Sequence, residues 1–357
     1  MDVGQTHGII VTGSSGLLGS NVVSSLAGEY EVFCLDRHEP TEDLPLAAEF
    51  IPVDVSSDES VRQAFARIAK LGRRIASVVH LAAYYDFSGE PSDLYEKVTV
   101  QGTRRVLAAS RELHAEQFIF SSSMLVHQPT TPGVPINEAW PLGAKWDYPR
   151  SKIKTENLVV AEHGPVPAVI LRIAGVYTDS CDSIPIANQI QRIYEKRFTS
   201  HVYPGDTARG QSFVHLDDVV DAIRLTIESR AKLPAVVPIL IGEPETYGYD
   251  QLQREIALLV HGDADWRTEQ IPKLIARTGA WVQDIIPGIE EPFIKPWMID
   301  LADDHYELDI SRAARLLGWK PHHRLIETLP RMIGELKADP ESWYEHHRLT
   351  LPSGVGR

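Results

Sequence analysis

The chain is 357 residues long, with 43% apolar residues and a formal net charge of −14. This length fits one large α/β core with a smaller lobe, and an acidic chain with scattered basic residues offers no attractive surface to nucleic acid or anionic lipid. Its apolar runs are far shorter than the ~18 residues of a transmembrane helix, and its N-terminal region has no signal-peptide pattern, so we expect a cytoplasmic protein.

The first unit along the chain is a strand, a glycine-rich turn, a helix and a second strand. The regular elements of this unit are predicted at residues 8–12, 17–27 and 31–36. In the turn, Gly13, Gly16 and Gly19 recur at every third position. Glycines let the backbone approach a pyrophosphate, which unpaired N–H groups at a helix N-terminus bind. We therefore predict a dinucleotide site, with a purely structural turn as the alternative.

Two acidic residues follow strands of this half. Asp36 ends the second strand, where its carboxylate can accept hydrogen bonds from ribose hydroxyls and would repel a 2′-phosphate, which favours NAD. Arg37 is adjacent and could attract that phosphate, so NADP stays an alternative. Asp54, after the third strand, is placed to bond the adenine edge, although a helix N-cap explains it nearly as well.

Strands and helices continue to alternate through the first half of the chain. Further elements are predicted at residues 49–53, 60–71, 77–81, 94–113, 118–120 and 168–173. Such alternation is typical of a parallel sheet with helices on both faces. We therefore predict an α/β fold with a Rossmann-type, doubly wound parallel sheet.

The chain becomes irregular after residue 178, where turn-forming residues accumulate. A strand at 213–216, a helix at 217–228 and a strand at 236–241 are then predicted to return to the sheet. The predicted NAD-binding domain accordingly comprises residues 1–178 with 213–242. The predicted smaller C-terminal substrate-binding lobe comprises residues 179–212 and 243–357.

A helix predicted to begin at Asp147 and end at Gly164 carries a tyrosine and a lysine one turn apart. Tyr148 and Lys152 share a face at i and i+4, so the ammonium can lower the phenol pKa from its ordinary value of about 10. Such a phenol is a competent general acid or base. A tyrosine and a lysine at this spacing are also common on ordinary exposed helices.

Three consecutive serines stand at the carboxyl end of the predicted fifth strand. Ser123 is placed at the sheet edge where open α/β folds bind ligands, and its hydroxyl could hydrogen-bond a reacting oxygen. Ser121 and Ser122 could instead satisfy backbone groups of the adjoining loop.

With these motifs the chain resembles the extended short-chain dehydrogenases/reductases, which are also called the NAD-dependent epimerase/dehydratase family. The resemblance implies that Tyr148 is the catalytic acid/base, that Lys152 binds the nicotinamide ribose and that Ser123 polarises the substrate oxygen. It covers nearly the whole chain. The matching segments are 12–19, 80–83, 102–103, 121–123, 148–152, 171–172, 213–219, 241–242, 309–313 and 317–321, with Asp36 and Asp54.

The family's cofactor is NAD, and the resemblance implies which residues contact it. Thr99 is included although the family usually has asparagine there. With Tyr148 and Lys152, the predicted contacts are Gly13, Ser15, Gly16, Leu17, Leu18, Gly19, Asp36, Arg37, Asp54, Val55, Leu81, Ala82, Ala83 and Thr99.

The positions that hold the diphosphate in nucleotide-sugar relatives depart from the family pattern. Gly175 stands where asparagine is usual, and Gln211 where arginine is usual. Residues 302–304 read Ala-Asp-Asp where another arginine is common. Carboxylates repel a diphosphate, although Arg209 or Arg277 could compensate. We therefore expect a less anionic substrate.

Three functions remain open from the sequence. The leading hypothesis is hydride transfer between NAD and a secondary alcohol or ketone. The alternatives are a nucleotide-sugar 4-epimerase with tightly bound NAD, and a non-catalytic NAD-sensing protein. We expect a homodimer acting on a small molecule, without nucleic-acid or membrane partners. The predicted substrate pocket is edged by Tyr84, Tyr85, Ser123, Met124, Leu125 and Gly175.

Neither the cysteines nor the histidine pairs indicate a metal site. Cys34 and Cys181 are too few for a disulfide framework and lack metal-ligand spacing, so we predict inert packing residues. Histidine pairs at 322–323 and 346–347 point in different directions on a helix, and no carboxylates accompany them at ligand spacing. No metal is therefore predicted.

Overall fold

A seven-stranded parallel sheet forms the centre of the structure, a computed structural model that describes residues 7–86, 89–274, 276 and 296–352. The strands are β1 (Gly8–Thr12), β2 (Glu31–Asp36), β3 (Ala48–Pro52), β4 (Ile75–His80), β5 (Phe118–Ser123), β6 (Ala168–Ile173) and β10 (Val236–Ile241). Their order in the sheet is β10-β6-β5-β4-β1-β2-β3. The order reverses between β1 and β4, and ligands of such sheets bind at the carboxyl ends of the strands beside that point.

Helices cover both faces of this sheet, as the sequence predicts. On one face, Val22 and Leu26 of the first helix join Ile223 of the sixth in an apolar cluster. On the other face, Phe65 and Val106 belong to a second cluster. These two layers confirm the doubly wound fold. The covering helices are α1 (Leu17–Leu26), α2 (Asp58–Lys70), α3 (Gln101–Glu112), α4 (Asp147–Glu162) and α6 (Leu216–Glu228).

The C-terminal half adds a mainly helical lobe with its own apolar cluster, which includes Ile190, Ile256 and Leu329. The predicted boundary near residue 178 stays a prediction. Two short strand pairs also occur here: β7 (Gly175–Tyr177) with β9 (Phe213–His215), and β8 (Val202–Tyr203) with β11 (Glu269–Gln270). The helices are α5 (Ile184–Tyr194), α7 (Tyr249–His261), α8 (Pro296–Ile299), α9 (Ser311–Leu317), α10 (Leu325–Ala338) and α11 (Pro340–His346).

The predicted return of β10 to the sheet is confirmed, and it returns as an edge strand beside β6. Pro238 lies within β10, where it has no N–H to donate. A proline is tolerated at an edge because only one side of the strand is paired. The sequence therefore fits the observed edge position better than a central one.

Several predicted boundaries differ from the structure by one or two residues, and two of the differences are informative. The helix predicted over 94–113 is divided into a wider π-helical turn, Tyr95–Val100, followed by α3. The strand predicted over 213–216 ends at His215, because its Nδ1 accepts a hydrogen bond from the backbone N–H of Asp217 at 3.2 Å and so caps α6. The apolar strand at 118–120 continues through the three serines and ends at Ser123, which confirms the predicted place of Ser123 at the strand end.

None of the helices in the described part of the chain combines the length and the apolar character that crossing a membrane requires.

Candidate active site

The glycine turn between β1 and α1 is shaped by two close backbone contacts. Gly13 has φ +72°, and a Cβ there would lie 2.8 Å from the backbone nitrogen of Ala82. A Cβ at Gly19 would lie 2.0 Å from the carbonyl oxygen of Gly13. At Gly16, by contrast, the nearest atom to an added Cβ is 3.5 Å away. The exposed Gly16 therefore leaves free space over the start of α1.

The start of α1 fits an anionic group. Gly16 is the N-cap residue and provides no side-chain cap, so the first N–H groups of the helix stay available. Ser14 Oγ is buried beside this turn and has no hydrogen-bond partner within the described structure. The helix dipole and these donors suit a pyrophosphate. Predicted contacts Leu17 and Leu18 belong to this first turn.

The carboxylate of Asp36 is held at the tip of β2. Its Oδ2 accepts a hydrogen bond from Ser15 N at 3.1 Å. Its Oδ1 accepts from Arg37 N at 2.7 Å and from His38 N at 3.2 Å. These bonds fix the carboxylate beside the glycine turn, where an adenosine ribose would lie in this type of fold.

Asp54 does not cap the helix that follows it. Ser57 is the N-cap residue of α2 and its side chain accepts from Ser60 N, so the capping explanation for Asp54 is wrong. The Oδ1 atom of Asp54 accepts from Ser56 N at 2.8 Å and from Ser56 Oγ at 2.7 Å. Burial raises the pKa of Asp54, but these bonds, with the nearby Arg37 and Arg105 charges, outweigh it and lower that pKa.

His80 connects the two central strands to α3. Its Nδ1 lies 2.7 Å from Thr12 Oγ1 and its Nε2 lies 2.9 Å from Thr103 Oγ1. Burial, helped by the Lys152 charge, lowers the pKa of His80 to about 3. The ring is therefore neutral and serves as a rigid spacer. Leu81, Ala82 and Ala83 follow it, each partly exposed.

Thr99 and Val55 are both buried in the structure. Thr99 is fully buried, and its Oγ1 accepts a hydrogen bond from Tyr84 N at 3.0 Å. Its predicted direct contact with the cofactor is therefore corrected: Thr99 anchors the loop after β4. Val55 is 7% exposed and packs on Gly102, where an added Cβ would lie 3.0 Å from its Cγ2.

The three predicted catalytic side chains come together at the carboxyl end of β5. Ser123 Oγ accepts a hydrogen bond from Leu125 N at 3.2 Å, and the interaction of its side chain with the phenol lowers the pKa of Tyr148. Lys152 Nζ donates to the Ser121 carbonyl oxygen at 2.7 Å and lies 5.7 Å from the centre of the Tyr148 ring. The Leu125 bond leaves the Ser123 proton free to point at the phenol.

Burial controls the ionisation of Tyr148 and Lys152. It raises the pKa of Tyr148 to about 12, against the lowering effect of the Ser123 hydrogen bond. The prediction that Lys152 lowers this pKa below its ordinary value is wrong for this arrangement, because desolvation is the larger effect. Burial also lowers the pKa of Lys152 to about 8, and the Glu156 charge opposes it. At neutral pH the phenol is protonated and the amine is mainly charged.

Tyr148 belongs to a group of four aromatic side chains that contact one another. We call this group the aromatic wall; it consists of Tyr85, Trp146, Tyr148 and Trp297. The Tyr85 and Tyr148 rings pack edge-on with their centres 4.8 Å apart, and the ring centres of Trp146 and Tyr148 are 5.4 Å apart. Trp297 of α8 lies 5.0 Å from Trp146. Sequence reasoning named only the two tyrosines; Trp146 could have been found from its place two residues before Tyr148, but Trp297 has no local signal.

The other predicted pocket residues pack mainly against neighbouring side chains. Met124 is 2% exposed and belongs to the main apolar cluster, so its predicted place in the pocket is corrected. Leu125 is partly buried against that cluster. Tyr84 meets Tyr95 edge-on at 4.8 Å beneath the wall. At Gly175 an added Cβ would lie 2.9 Å from the Phe213 ring, so glycine is required there for packing.

The cations near the expected diphosphate positions are paired with carboxylates. Lys145 pairs with Asp304. Lys273 Nζ lies 2.6 Å from Asp303 Oδ2. Arg209 Nε lies 3.4 Å from Asp206 Oδ2. Arg277 lies outside the described residues.

One group of side chains has the composition of a metal site. Ligand atoms of His215, Asp217 and His323 all lie within 4.8 Å of one another. The two imidazole rings, however, stack at 4.1 Å and 24°, so their lone pairs run side by side instead of converging on one point. The prediction of no metal therefore stands as a prediction.

The second histidine pair and the two cysteines have packing roles. His346 Nε2 lies 2.8 Å from Asp182 Oδ1 and His347 Nε2 lies 2.9 Å from the Cys181 carbonyl oxygen, which fastens α11 to the lobe. Burial raises the pKa of the Cys34 thiol to about 12 and also raises that of Cys181. Neither thiol is activated as a nucleophile.

A substitution at Gly16 tests the anion site directly. Gly16→Val leaves the fold intact, because its backbone is extended at φ −79° and ψ 167°, but its side chain fills the space over α1. We expect the NAD dissociation constant, measured by calorimetric titration, to rise about tenfold or more, equivalent to ~1.4 kcal/mol. Gly28→Ala, with nothing within 4 Å of the added Cβ, is the control. Unchanged NAD affinity in Gly16→Val would contradict this assignment.

Known proteins share both this sequence pattern and this fold. UDP-glucose 4-epimerase of Vibrio cholerae is 27% identical over 330 residues, covering 89% of this chain and 92% of that one. 3 beta-hydroxysteroid dehydrogenase type 7 of Rattus norvegicus is 32% identical over 351 residues, covering 92% and 95%.

Solved structures agree in fold. UDP-glucose 4-epimerase of Thermotoga maritima with UDP-glucose has a TM-score of 0.69 at 23% identity, covering 94% of this chain and all (100%) of that one. UDP-glucose 4-epimerase of Thermus thermophilus with NAD has a TM-score of 0.66 at 22% identity, covering 92% and 99%. The model of the NAD dependent epimerase/dehydratase family matches residues 9–242. The chain therefore belongs to the NAD dependent epimerase/dehydratase family.

Proposed function

We propose that this enzyme is an NAD-dependent dehydrogenase that interconverts a secondary alcohol and a ketone on a bulky, apolar substrate. The observation that carries the proposal is the aromatic wall around Tyr148. Aromatic surfaces bind flat apolar molecules through their large contact area and offer no charge to an anionic group. The rat relative, 32% identical, is named as a 3 beta-hydroxysteroid dehydrogenase, and a 3β-hydroxysteroid has this shape and this alcohol.

The side chains divide the proton chemistry between them. Bound NAD would supply hydride acceptance or donation at the nicotinamide ring. Ser123 hydrogen-bonds the substrate oxygen, and Tyr148 exchanges a proton with that same oxygen. Because burial raises the pKa of Tyr148 to about 12, the phenol suits the acid role in ketone reduction at neutral pH. Oxidation needs the phenolate, so its rate should increase with pH.

Lys152 supports the tyrosine through its charge. Its Nζ is 5.7 Å from the Tyr148 ring centre and 3% of the residue is exposed, so little water screens the attraction between the ammonium and a phenolate. The ammonium has further donors beyond the one given to Ser121. Those donors can hold ribose hydroxyls of the cofactor, and the Asp36 carboxylate supports NAD over NADP at the other ribose.

Charge at the substrate side also supports an uncharged substrate. The cations of the Lys145–Asp304 and Lys273–Asp303 pairs are neutralised within the described structure. A diphosphate would have to displace those carboxylates, and the like charges would repel it.

A nucleotide-sugar 4-epimerase is the second candidate, and Arg192 favours it. The Nη2 atom of Arg192 lies 3.5 Å from the Tyr249 hydroxyl, and its buried Nε has no hydrogen-bond partner among the residues described. Tyr249 stacks on Tyr203 at 3.9 Å. This arginine could bind an anionic substrate group, and the Vibrio cholerae relative is named as a UDP-glucose 4-epimerase.

We also propose that the protein forms a homodimer through α4. Val160 of α4 is 51% exposed, and Leu94, just before the π-helical turn, is 39% exposed. Burial of such apolar side chains favours association. Static light scattering at micromolar concentration should give twice the mass of one chain. The mass of a single chain would refute the dimer.

The variant Tyr148→Phe tests the proposed acid/base. It removes only the phenolic hydroxyl, so we expect the rate of 3β-hydroxysteroid oxidation with NAD to fall by about 10²-fold or more, with NAD affinity close to that of the wild type. Stopped assays and calorimetric NAD titration measure the two quantities. Tyr30→Phe, which alters a partly buried tyrosine that packs on the apolar cluster of α1 and α6, is the matched control. A Tyr148→Phe enzyme with near-normal turnover would rule out this function.

A further inference from the structure

A buried polar network lies behind the proposed catalytic side chains and joins α4 to β5 and β6. Glu156 is 3% exposed and stands one helical turn after Lys152. Its Oε1 accepts from Ser122 Oγ at 2.5 Å and from Arg172 Nε at 3.1 Å. Its Oε2 accepts from Arg172 Nη2 at 2.7 Å. The carboxylate is thus held from two neighbouring strands.

The arginine of this network is also fully engaged. Arg172 Nη1 lies 3.0 Å from His127 Nε2 and donates to the Glu138 carbonyl oxygen at 3.0 Å. A buried ion pair contributes little more stability than apolar side chains of the same volume. A satisfied polar network does, however, fix one arrangement of the elements it joins. The value of this network therefore lies in the position it gives to α4.

The contacts between β5 and α4 form a regular series. The Ser121 carbonyl accepts from Lys152 Nζ and Ser122 donates to Glu156, while the Ser123 side chain acts on the Tyr148 phenol and lowers its pKa. The three α4 residues stand at successive i+4 positions, on one face of the helix. The three serines at the end of β5 thus contact three successive turns of α4. Only the first two of these turns, with Tyr148 and Lys152, carry side chains of the proposed chemistry.

We propose that Glu156, held by Ser122 and Arg172, is a positioning residue that keeps Lys152 in place and charged beneath Tyr148. This inference rests on the proposed function, because it assigns Glu156 a role only through Lys152 and Tyr148. The hydrogen-bond partners of the Glu156 carboxylate are Ser122 and Arg172, not Ser123 or Tyr148, the two side chains proposed to act on the substrate oxygen.

The charged and titratable groups around Lys152 determine in which direction Glu156 shifts its pKa. Tyr148 and Glu156 face it from α4, His80 faces it from β4, and Arg172 with His127 stands behind Glu156. Burial lowers the pKa values of His80 to about 3 and of His127 to about 4, so both rings are neutral. The Glu156 charge opposes the burial that lowers the pKa of Lys152 to about 8. Removal of that charge must lower the pKa of Lys152 further.

The variant Glu156→Gln measures this effect. It keeps the shape of the side chain and removes the charge. For ketone reduction, in which the phenol stays protonated, we expect the alkaline limb of the kcat–pH profile, where Lys152 loses its proton, to move down by about one pH unit. At pH 7 this shift should lower kcat only about twofold, and at pH 9 roughly tenfold, with little change in KM. Glu162→Gln on the same helix, paired with Arg104 at the surface, is the control and should leave the profile unchanged.

The variant Ser122→Ala keeps the inference testable if Glu156→Gln does not fold, because it removes one hydrogen bond and strands no buried charge. We expect Ser122→Ala to lower kcat several-fold at unchanged NAD affinity. A lower melting temperature with unaltered kcat and pH profile in both variants would overturn the inference, since the network would then be purely structural. Tyr148→Phe separates the two proposals: an active Tyr148→Phe enzyme refutes the function itself, whereas an inactive one beside an unshifted Glu156→Gln profile refutes only the role of Glu156.

Discussion

The docking of α4 against the end of β5 is the constraint on which the rest of the site depends. Lys152 Nζ donates to the Ser121 carbonyl oxygen at 2.7 Å, and this bond brings an ammonium into a position that is 3% exposed. The helix can approach the strand this closely because the strand ends in small serines whose hydroxyl and carbonyl groups satisfy the polar groups of α4. Larger residues at these positions would separate the two elements and return Lys152 to water.

Burial at this junction acts on two neighbouring groups in opposite directions. It raises the pKa of Tyr148 to about 12 and lowers that of Lys152 to about 8, because desolvation disfavours the charged form of each group. Proton exchange at Tyr148 is therefore sensitive to any change in nearby charge. The aromatic wall is part of the same balance, since the rings that would receive an apolar substrate also exclude water from the phenol.

The sequence predicted those features that follow from spacing along a single element. Local geometry determines the glycine turn, the Asp36 carboxylate at the end of β2 and the shared face of Tyr148 and Lys152. These features can therefore be predicted from the sequence. The parallel sheet followed from the alternation of apolar strands and helices. By contrast, Trp297 reaches the site from the C-terminal lobe through tertiary packing, which no local pattern encodes.

Other positions differ from the predictions because residues that are adjacent in sequence need not face the same site in space. Met124 follows Ser123 directly, yet a short turn, Met124–Val126, directs it into the core. Thr99 stands at a cofactor position of the family, but its hydroxyl supports the loop that carries Tyr84. The sign of the Tyr148 pKa shift could not be predicted either, because helix spacing gives the partner of an ionisable group and says nothing of how much water surrounds it.

The most direct test of the proposed dehydrogenase activity is the yield of NADH when the wild-type enzyme is incubated with NAD and a 3β-hydroxysteroid. A dehydrogenase must release one NADH for each ketone formed, so we expect a net rise in NADH absorbance that matches the ketone measured by chromatography. The contradicting result is no net NADH with the steroid, together with conversion of UDP-galactose to UDP-glucose by the same preparation.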